Sequence, residues 1–325
     1  MRVYLMRRLL QVVPTILMIT LVVFVMMRSV PGDPVVALLG DAYTQEDAEA
    51  MREAYGLDRP VLGQYVIWLG KLVRGDWGTS ILSGRAVLDD VLTRLPVTIE
   101  LIVLAMAVAL VIALPAAIVG ALRHNRWPDY TATTAALVGI SIPEFFLGVL
   151  LLLVFSFGLQ GALPSSGWVY LPGTCPTLVC ASGVWGNLQH VLMPAIALGV
   201  ARAAILTRLL RASMLEVIRT EYVTSARAKG LGEWTVVFKH GLKNALIPTV
   251  TVMGLQISFL IGGAIVVETL FALPGLGTFG IEAILARDYQ QVQGFALLTA
   301  FAFVGMSVVV DVLYTLLDPR IRYGG

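Results

Sequence analysis

Two cysteines lie close together in the stretch TCPTLVC, as Cys175 and Cys180. At that spacing they either close a local disulfide in an oxidising compartment or remain two free thiols. With no histidine nearby, two sulfurs do not make a zinc site. The three histidines, His124, His190 and His240, are far apart and fit no metal or protease spacing. Asp89-Asp90 is an adjacent acid pair in a charged segment, better suited to solvation than to acid–base work. A phosphate-binding loop needs G-x-x-x-x-G-K-[ST], so that backbone amides and a lysine cradle the phosphates. The one Gly-Lys pair, Gly70-Lys71, is followed by Leu72. The sequence therefore presents no catalytic set, no metal site, no cofactor site of its own and no mark of a nucleic-acid partner.

The remaining chemistry is charge placed where charge is costly. Of the 325 residues 58% are hydrophobic and 14% charged, against about a quarter charged in a soluble chain. Apolar runs long enough to cross a hydrocarbon core recur at Leu9–Met27, Thr98–Leu122, Tyr130–Leu159, Val191–Leu210, Leu246–Leu270 and Phe295–Leu317. They predict an all-α membrane protein of six transmembrane helices, in contact with lipid over much of its surface. Pro115, Pro143 and Pro194 lie inside spans, where neighbouring groups satisfy the freed backbone. The third span, interrupted at Ser141-Ile142-Pro143, is either one kinked helix or two shorter pieces. Glu144, Arg202, Glu268 and Asp311 fall within the spans. Such groups pair with one another, Arg202 being the partner for one of the acids, or they face a pathway and meet cargo. Phe271 and Pro274, in the segment Val266–Gly277 that can turn back toward such a pathway, join Glu144, Glu268 and Asp311 as candidate pathway or gate residues.

Lys and Arg counts orient the spans. With both termini inside, cytoplasmic segments hold 14 of the 23 basic residues. The segment Arg28–Pro96 also holds basic residues, but it carries 10 acids and is long enough to escape the positive-inside rule. Arg2, Arg7 and Arg8 precede the first span, which is expected to stay as a signal-anchor helix. Cys175 and Cys180 then fall outside. A helix is expected over Gln45–Tyr55, capped by Thr44.

One cytoplasmic segment departs from the apolar character around it: EYVTSARAKGLGEWTVVFKHGLKNALIP, Glu221 to Pro248. Leu215, Ile218, Tyr222 and Ala226 recur at helical spacing. Gly230-Leu231-Gly232 marks a helix stop and restart, because glycine accepts the left-handed conformation. Trp234, Val237, Phe238 and Leu242 form a second stripe. Two amphipathic helices need a partner for their apolar faces, either the lipid interface or a soluble protein.

This segment resembles the "EAA" coupling loop of ABC importer permeases, in the form found in the peptide/nickel permease family. The run Glu221 to Leu231 follows the pattern D/E-Y-V-x-x-A-R-A-K-G-L, and His240 to Pro248 follows H-x-L-x-N-A-x-x-P. Thr224, His240 and Lys243 depart from the general ABC pattern, while Ala226, Gly230 and Leu242 keep it. PGDP (Pro31–Pro34), YGLDRPVLGQY (Tyr55–Tyr65), GDWGTS (Gly75–Ser80), LPVTIEL (Leu95–Leu101), SIPEFF (Ser141–Phe146), VVETLFALPGLG (Val266–Gly277) and DPRIRYG (Asp318–Gly324) extend the resemblance along nearly the whole chain. It implies a type I importer permease fold: an N-terminal helix and long outer loop over 1–97, then a five-helix core over 98–325 with a coupling loop at 213–245. It also implies a bacterial or archaeal cytoplasmic (inner) membrane location. The implied partners are a homologous second permease, two ABC ATPase subunits holding ATP and Mg, and an extracytoplasmic solute-binding protein.

In that scheme Ala226, Ala228 and Gly230 let the loop seat closely in a groove. Leu231 and Trp234 anchor it, and Arg227 and Lys229 meet acids on the ATPase. The implied cargo is a dipeptide or oligopeptide, with nickel chelates, glutathione or oligosaccharides as alternatives. An ion-gradient secondary transporter is the alternative of another class. No internal repeat is visible to favour it, and it would need no partner.

Overall fold

A computed structural model of the chain describes residues 2–29, 44–46, 49, 59–80, 82–159, 161–171 and 183–317. Cys175, Cys180, most of Gln45–Tyr55 and the tail from Asp318 lie outside the described residues. Among the described residues the regular structure is helical: α1 Arg2–Ser29, α2 Val61–Val73, α3 Val87–Leu122, α4 Trp127–Ser141, α5 Glu144–Leu151, α6 Val184–Ile218 and α7 Glu221–Ala228. Then follow α8 Lys243–Gly263, α9 Ile265–Leu270, α10 Leu276–Leu285 and α11 Tyr289–Leu317. The π-helical segment Leu152–Gly158 prolongs α5, and Val236–Leu242 leads into α8.

Among the described residues five helices are long and apolar enough to cross a membrane, and α4 with α5 makes a sixth candidate bent by 97°. The bend resolves the open question at the third span in favour of two pieces. Pro143 has no N–H and disfavours a helical residue before it, and Ile142 is accordingly extended at φ −86° and ψ 119°. Other helices run past their apolar cores. α3 starts at Val87 rather than Thr98, and α6 reaches from Val184 to Ile218 rather than from Val191 to Leu210. At 1.5 Å per residue each extends about 50 Å, well beyond the roughly 30 Å of hydrocarbon. Hydropathy marks where lipid stops, not where a helix does. A boundary between residues 97 and 98 therefore falls inside α3.

The central packing joins α3 to α6. Ala105, Ala109, Ala113 and Ala117 recur every fourth residue on α3 and are all buried. Small residues let membrane helices approach closely. At Gly199 on α6 an added Cβ would lie 2.7 Å from the Ala105 carbonyl oxygen and 2.9 Å from the Val108 side chain. Backbone cannot move aside as a flexible side chain can. Gly199→Ala is expected to destabilise the protein by about 1–3 kcal/mol, read as a lower melting temperature in detergent. Gly262→Ala, where a Cβ meets nothing within 4 Å, serves as the control.

α1 and α11 pair at the periphery. Most of α11 is half-buried, and its exposed residues include Phe303, Gly305, Val309 and Leu313. α2 docks on α1 through Phe24, Tyr65 and Trp68, whose rings lie 5.5–6.1 Å apart, and through a 2.9 Å hydrogen bond between the Thr20 and Tyr65 hydroxyls.

Candidate functional site

The basic loop folds as a short helix and turn at the end of α6. Residues Leu215 and Ile218 still belong to α6, whereas Tyr222 and Ala226 belong to α7, so their shared spacing bridges a break at Arg219-Thr220. α7 ends at the expected glycine, with Gly230 at φ +77°. Val223, Ala226 and Val236 form a small core with Val217. The motif residues on either side of the turn lock together. The Tyr222 hydroxyl donates to the His240 carbonyl at 3.0 Å and accepts from Asn244 Nδ2 at 2.6 Å.

This geometry sorts the loop residues. Ala226 is buried, so its small side chain lets α7 close on the next helix rather than on a partner. Arg227 forks onto Glu233, with Nη2 to Oε1 at 2.7 Å and Nε to Oε2 at 3.2 Å. Those hydrogen bonds hold the Arg227 guanidinium above its ordinary value. The pair is exposed and worth about 0.2–1 kcal/mol, so it shapes the turn more than it stabilises it. Ala228, Lys229, Gly230, Leu231 and Trp234 face outward. Trp234 is 78% exposed and stacks on Phe238, with centroids 5.3 Å apart and planes 13° apart. The stacked pair is an exposed apolar platform, and Leu231 is a further exposed apolar side chain of the same turn. The i, i+4 spacing of Trp234 and Phe238 could have signalled the stack. The Arg227–Glu233 pair, across a glycine turn, had no periodic signal.

The charges within the spans separate into different roles. Glu144, first residue of α5, meets Arg202 of α6 at 2.8 Å, which makes it the acid that Arg202 was expected to pair. Both line an open pocket of about 360 Å³ between α4, α5, α6 and α9, with Ile142, Ala201, Ile205 and Val266 among its walls.

Glu268 is fully buried and is a clamp. Its Oε1 accepts from the Thr98 hydroxyl at 2.7 Å, and its Oε2 accepts the Gly277 and Thr278 N–H groups at 2.7 and 3.1 Å. Thr98 Oγ1 in turn accepts the Leu276 N–H at 2.8 Å. One carboxylate and one hydroxyl thus satisfy three amide donors in the first turn of α10, which would otherwise be orphaned. The PGLG turn is explained by the same contact. A Cβ on Gly275 would collide with the Glu268 carboxylate, and one on Gly277 would lie 2.7 Å from Ile265 Cα. Phe271 is buried too and packs over Gly148 of α5, while Pro274 is half-buried. Glu268 and Phe271 hold the Val266–Gly277 turn in place, both of them buried. Asp311 is half-buried in a cleft of about 230 Å³ between α1 and α11, with Gln11 and Thr15. That cleft is formed by different helices from those around Glu144.

Sequence reasoning missed a further ion pair. Asp129, buried in the first turn of α4, accepts from Arg211 Nη2 of α6 at 2.6 Å and from the Asn125 N–H at 2.9 Å, with His124 Nδ1 at 3.1 Å. Arg202 and Arg211 of α6 therefore tie down both halves of the broken span, Arg202 through α5 and Arg211 through α4. The partners are 58 and 82 residues apart in sequence and have no local signature. Among the described residues no cluster of three metal-ligating side chains occurs.

Comparison with known proteins gives one consistent result. Residues 109–323 match the family model described as binding-protein-dependent transport system inner membrane component, and residues 1–102 match that of its N-terminal part. The chain is 40% identical over 320 residues to the glutathione transport system permease protein GsiC of Escherichia coli K12, covering 98% of this chain and 99% of the relative. It is 38% identical over 324 residues to the oligopeptide transport system permease protein AppB of Bacillus subtilis, covering 99% and 100%. A solved structure of the MetNI methionine ABC transporter in inward-facing form superposes with a TM-score of 0.55 at 16% identity, over 70% of this chain and 96% of that one. That likeness concerns the fold.

Proposed function

The chain belongs to the family of binding-protein-dependent transport system inner membrane components, and from that premise we propose that it forms half of a translocation pathway for peptides. It is a multi-pass permease subunit of an ABC importer in the inner membrane. The observation that carries the peptide assignment is the end-to-end likeness to permeases named for glutathione, itself a small peptide, and for oligopeptides. The cargo arrives on an extracytoplasmic solute-binding protein. A homologous permease supplies the other half of the path, and two ABC ATPase subunits, with ATP and Mg, supply the energy.

The platform of Trp234 and Phe238, with Leu231, is the docking face for an ATPase subunit. Buried aromatic anchors dominate many interfaces, and an exposed stacked pair at the tip of a rigid loop suits that role. α6 then carries the motion into the membrane. The loop follows directly from α6, and α6 holds both halves of the broken span through Arg211 and Arg202. Closure of the ATPases would rock α6, α4 and α5 together, in the manner of alternating access by rigid-body movement.

The test is affinity purification of the chain from its native membrane in mild detergent. ATPase subunits and a second permease are expected to co-purify, with ATP hydrolysis in the eluate and uptake of dipeptides after reconstitution with the binding protein. A chain that is extracted intact, alone and without ATPase activity would overturn the assignment of partners.

A further inference from the structure

The ion pair at the break in the third span has an uncommon setting. Glu144 and Arg202 are mostly buried, with side-chain exposures of 24% and 15%, yet both form part of the wall of an open pocket of about 360 Å³. That volume is at the lower end of what small-molecule sites occupy, and it suits a ligand of one or two amino-acid residues. The rest of the wall is apolar, with Ile140, Ile142, Phe145, Ile205 and Val267. A guanidinium offers five N–H donors. The described contacts of Arg202 engage Nη2, on Glu144 Oε1, while its buried Nε has no hydrogen-bond partner among the described residues. A buried donor left without an acceptor is costly. A second anion beside Arg202 would recover that cost.

We propose that this cavity is a transient binding site for zwitterionic peptides in transit. The ligand's carboxylate is taken by Arg202 and its ammonium by Glu144. The inference rests on the peptide reading of the pathway and adds a site to it. The opposite charges already neutralise each other, so the ligand exchanges one ion pair for two and adds no net charge to the membrane interior. Its apolar side chain meets the isoleucine and valine wall. Such a site is also weak by design, because Glu144 and Arg202 re-form their own pair as the ligand leaves. The position agrees with the general placement of transporter sites at discontinuous helices. Val266 and Val267 of α9 in the wall connect the cavity directly to the Glu268 clamp.

The experiment uses the assembled importer with Cys175 and Cys180 replaced by Ser and Ala201→Cys introduced in the cavity wall. The rate of alkylation by a small maleimide is measured with alanyl-alanine at millimolar concentration, and with N-acetyl-alaninamide as an uncharged analogue. Alanyl-alanine is expected to slow labelling at least threefold, and the analogue to leave it unchanged. The double substitution Glu144→Gln with Arg202→Gln removes both charges without orphaning either, and is expected to abolish the protection. Equal protection by both compounds overturns the proposal, since the cavity would then read size alone. Protection that survives the double substitution overturns it as well. So does an absence of labelling at both Ala201→Cys and Ile205→Cys, because a closed cavity admits no peptide. Dipeptide uptake by the same importer is measured in parallel. Absence of uptake removes the peptide reading itself, whereas unprotected labelling in an importer that does take up dipeptide removes this site alone.

Discussion

Trp234→Asp lowers peptide uptake by the reconstituted importer by about 30-fold or more, while the spans stay inserted and the ATPase subunits keep hydrolysing ATP. The expectation follows from the position of the side chain. Trp234 is 78% exposed and stacked on Phe238, so it contributes little to the fold of this chain. Its indole is free to fill a pocket on a partner. Loss of such an anchor costs about 2 kcal/mol or more, and every 1.4 kcal/mol is tenfold in affinity. An Asp at the centre of the platform adds a carboxylate that must be desolvated. Trp234→Phe keeps an aromatic face and is expected to lose far less. Gly230→Pro attacks the same device through the backbone, since proline fixes φ near −65° where this residue needs +77°. Uptake and ATP hydrolysis measured side by side decide the matter. Normal uptake by Trp234→Asp would remove the platform from the coupling path.

The largest loss of stability is expected at Glu268. Glu268→Ala leaves the Gly277 and Thr278 amides and the Thr98 hydroxyl without their acceptor, in a site closed to water. At about 1–3 kcal/mol for each unsatisfied group, the sum reaches at least about 3 kcal/mol. A cavity where the side chain was adds to it. Hydrogen exchange by mass spectrometry should show α10 losing protection first, followed by a lower melting temperature of the purified subunit. Glu268→Gln keeps one acceptor but turns an amide NH2 toward backbone N–H groups or the Thr98 hydroxyl, so an intermediate loss is expected. Glu282→Gln, on the exposed partner of Arg94, is the control and should change little. Unchanged exchange in Leu276–Leu285 for Glu268→Ala would refute the clamp.

These two residues were not equally legible in the sequence. Trp234 stood out because it is local: an aromatic in a basic segment, just after a Gly-x-Gly stop. Its neighbourhood is built by residues within about one loop of it, and helical periodicity with glycine punctuation reports on that range. The Gly230 turn came from the same signals. The Tyr222–His240–Asn244 lock spans only 22 residues and falls on the two halves of one motif. Glu268 was legible only as a charge in an apolar span, which fits a pathway contact as well as an internal clamp. Its acceptor role depends on Thr98, 170 residues away, and on the helix-start amides nine and ten residues on.

The sequence by itself determined the solvent, the apolar spans and the glycine turn of the basic loop. A bilayer supplies no hydrogen bonds, so a spanning chain must satisfy its own backbone, as an apolar helix does, and that requirement is written in one dimension. The break at Pro143 was also local, since a missing N–H and a ring clash need no distant partner. Only the tertiary structure decided which charges pair, which face is open and where helices end. Arg202 on Glu144, Arg211 on Asp129 and Thr98 on Glu268 join segments 58 to 170 residues apart. The helices that present these side chains are placed by close packing of Gly199 and the alanines of α3, and pairing follows from that placement. Charge type is a property of the residue, but burial and partnership are properties of the packed bundle.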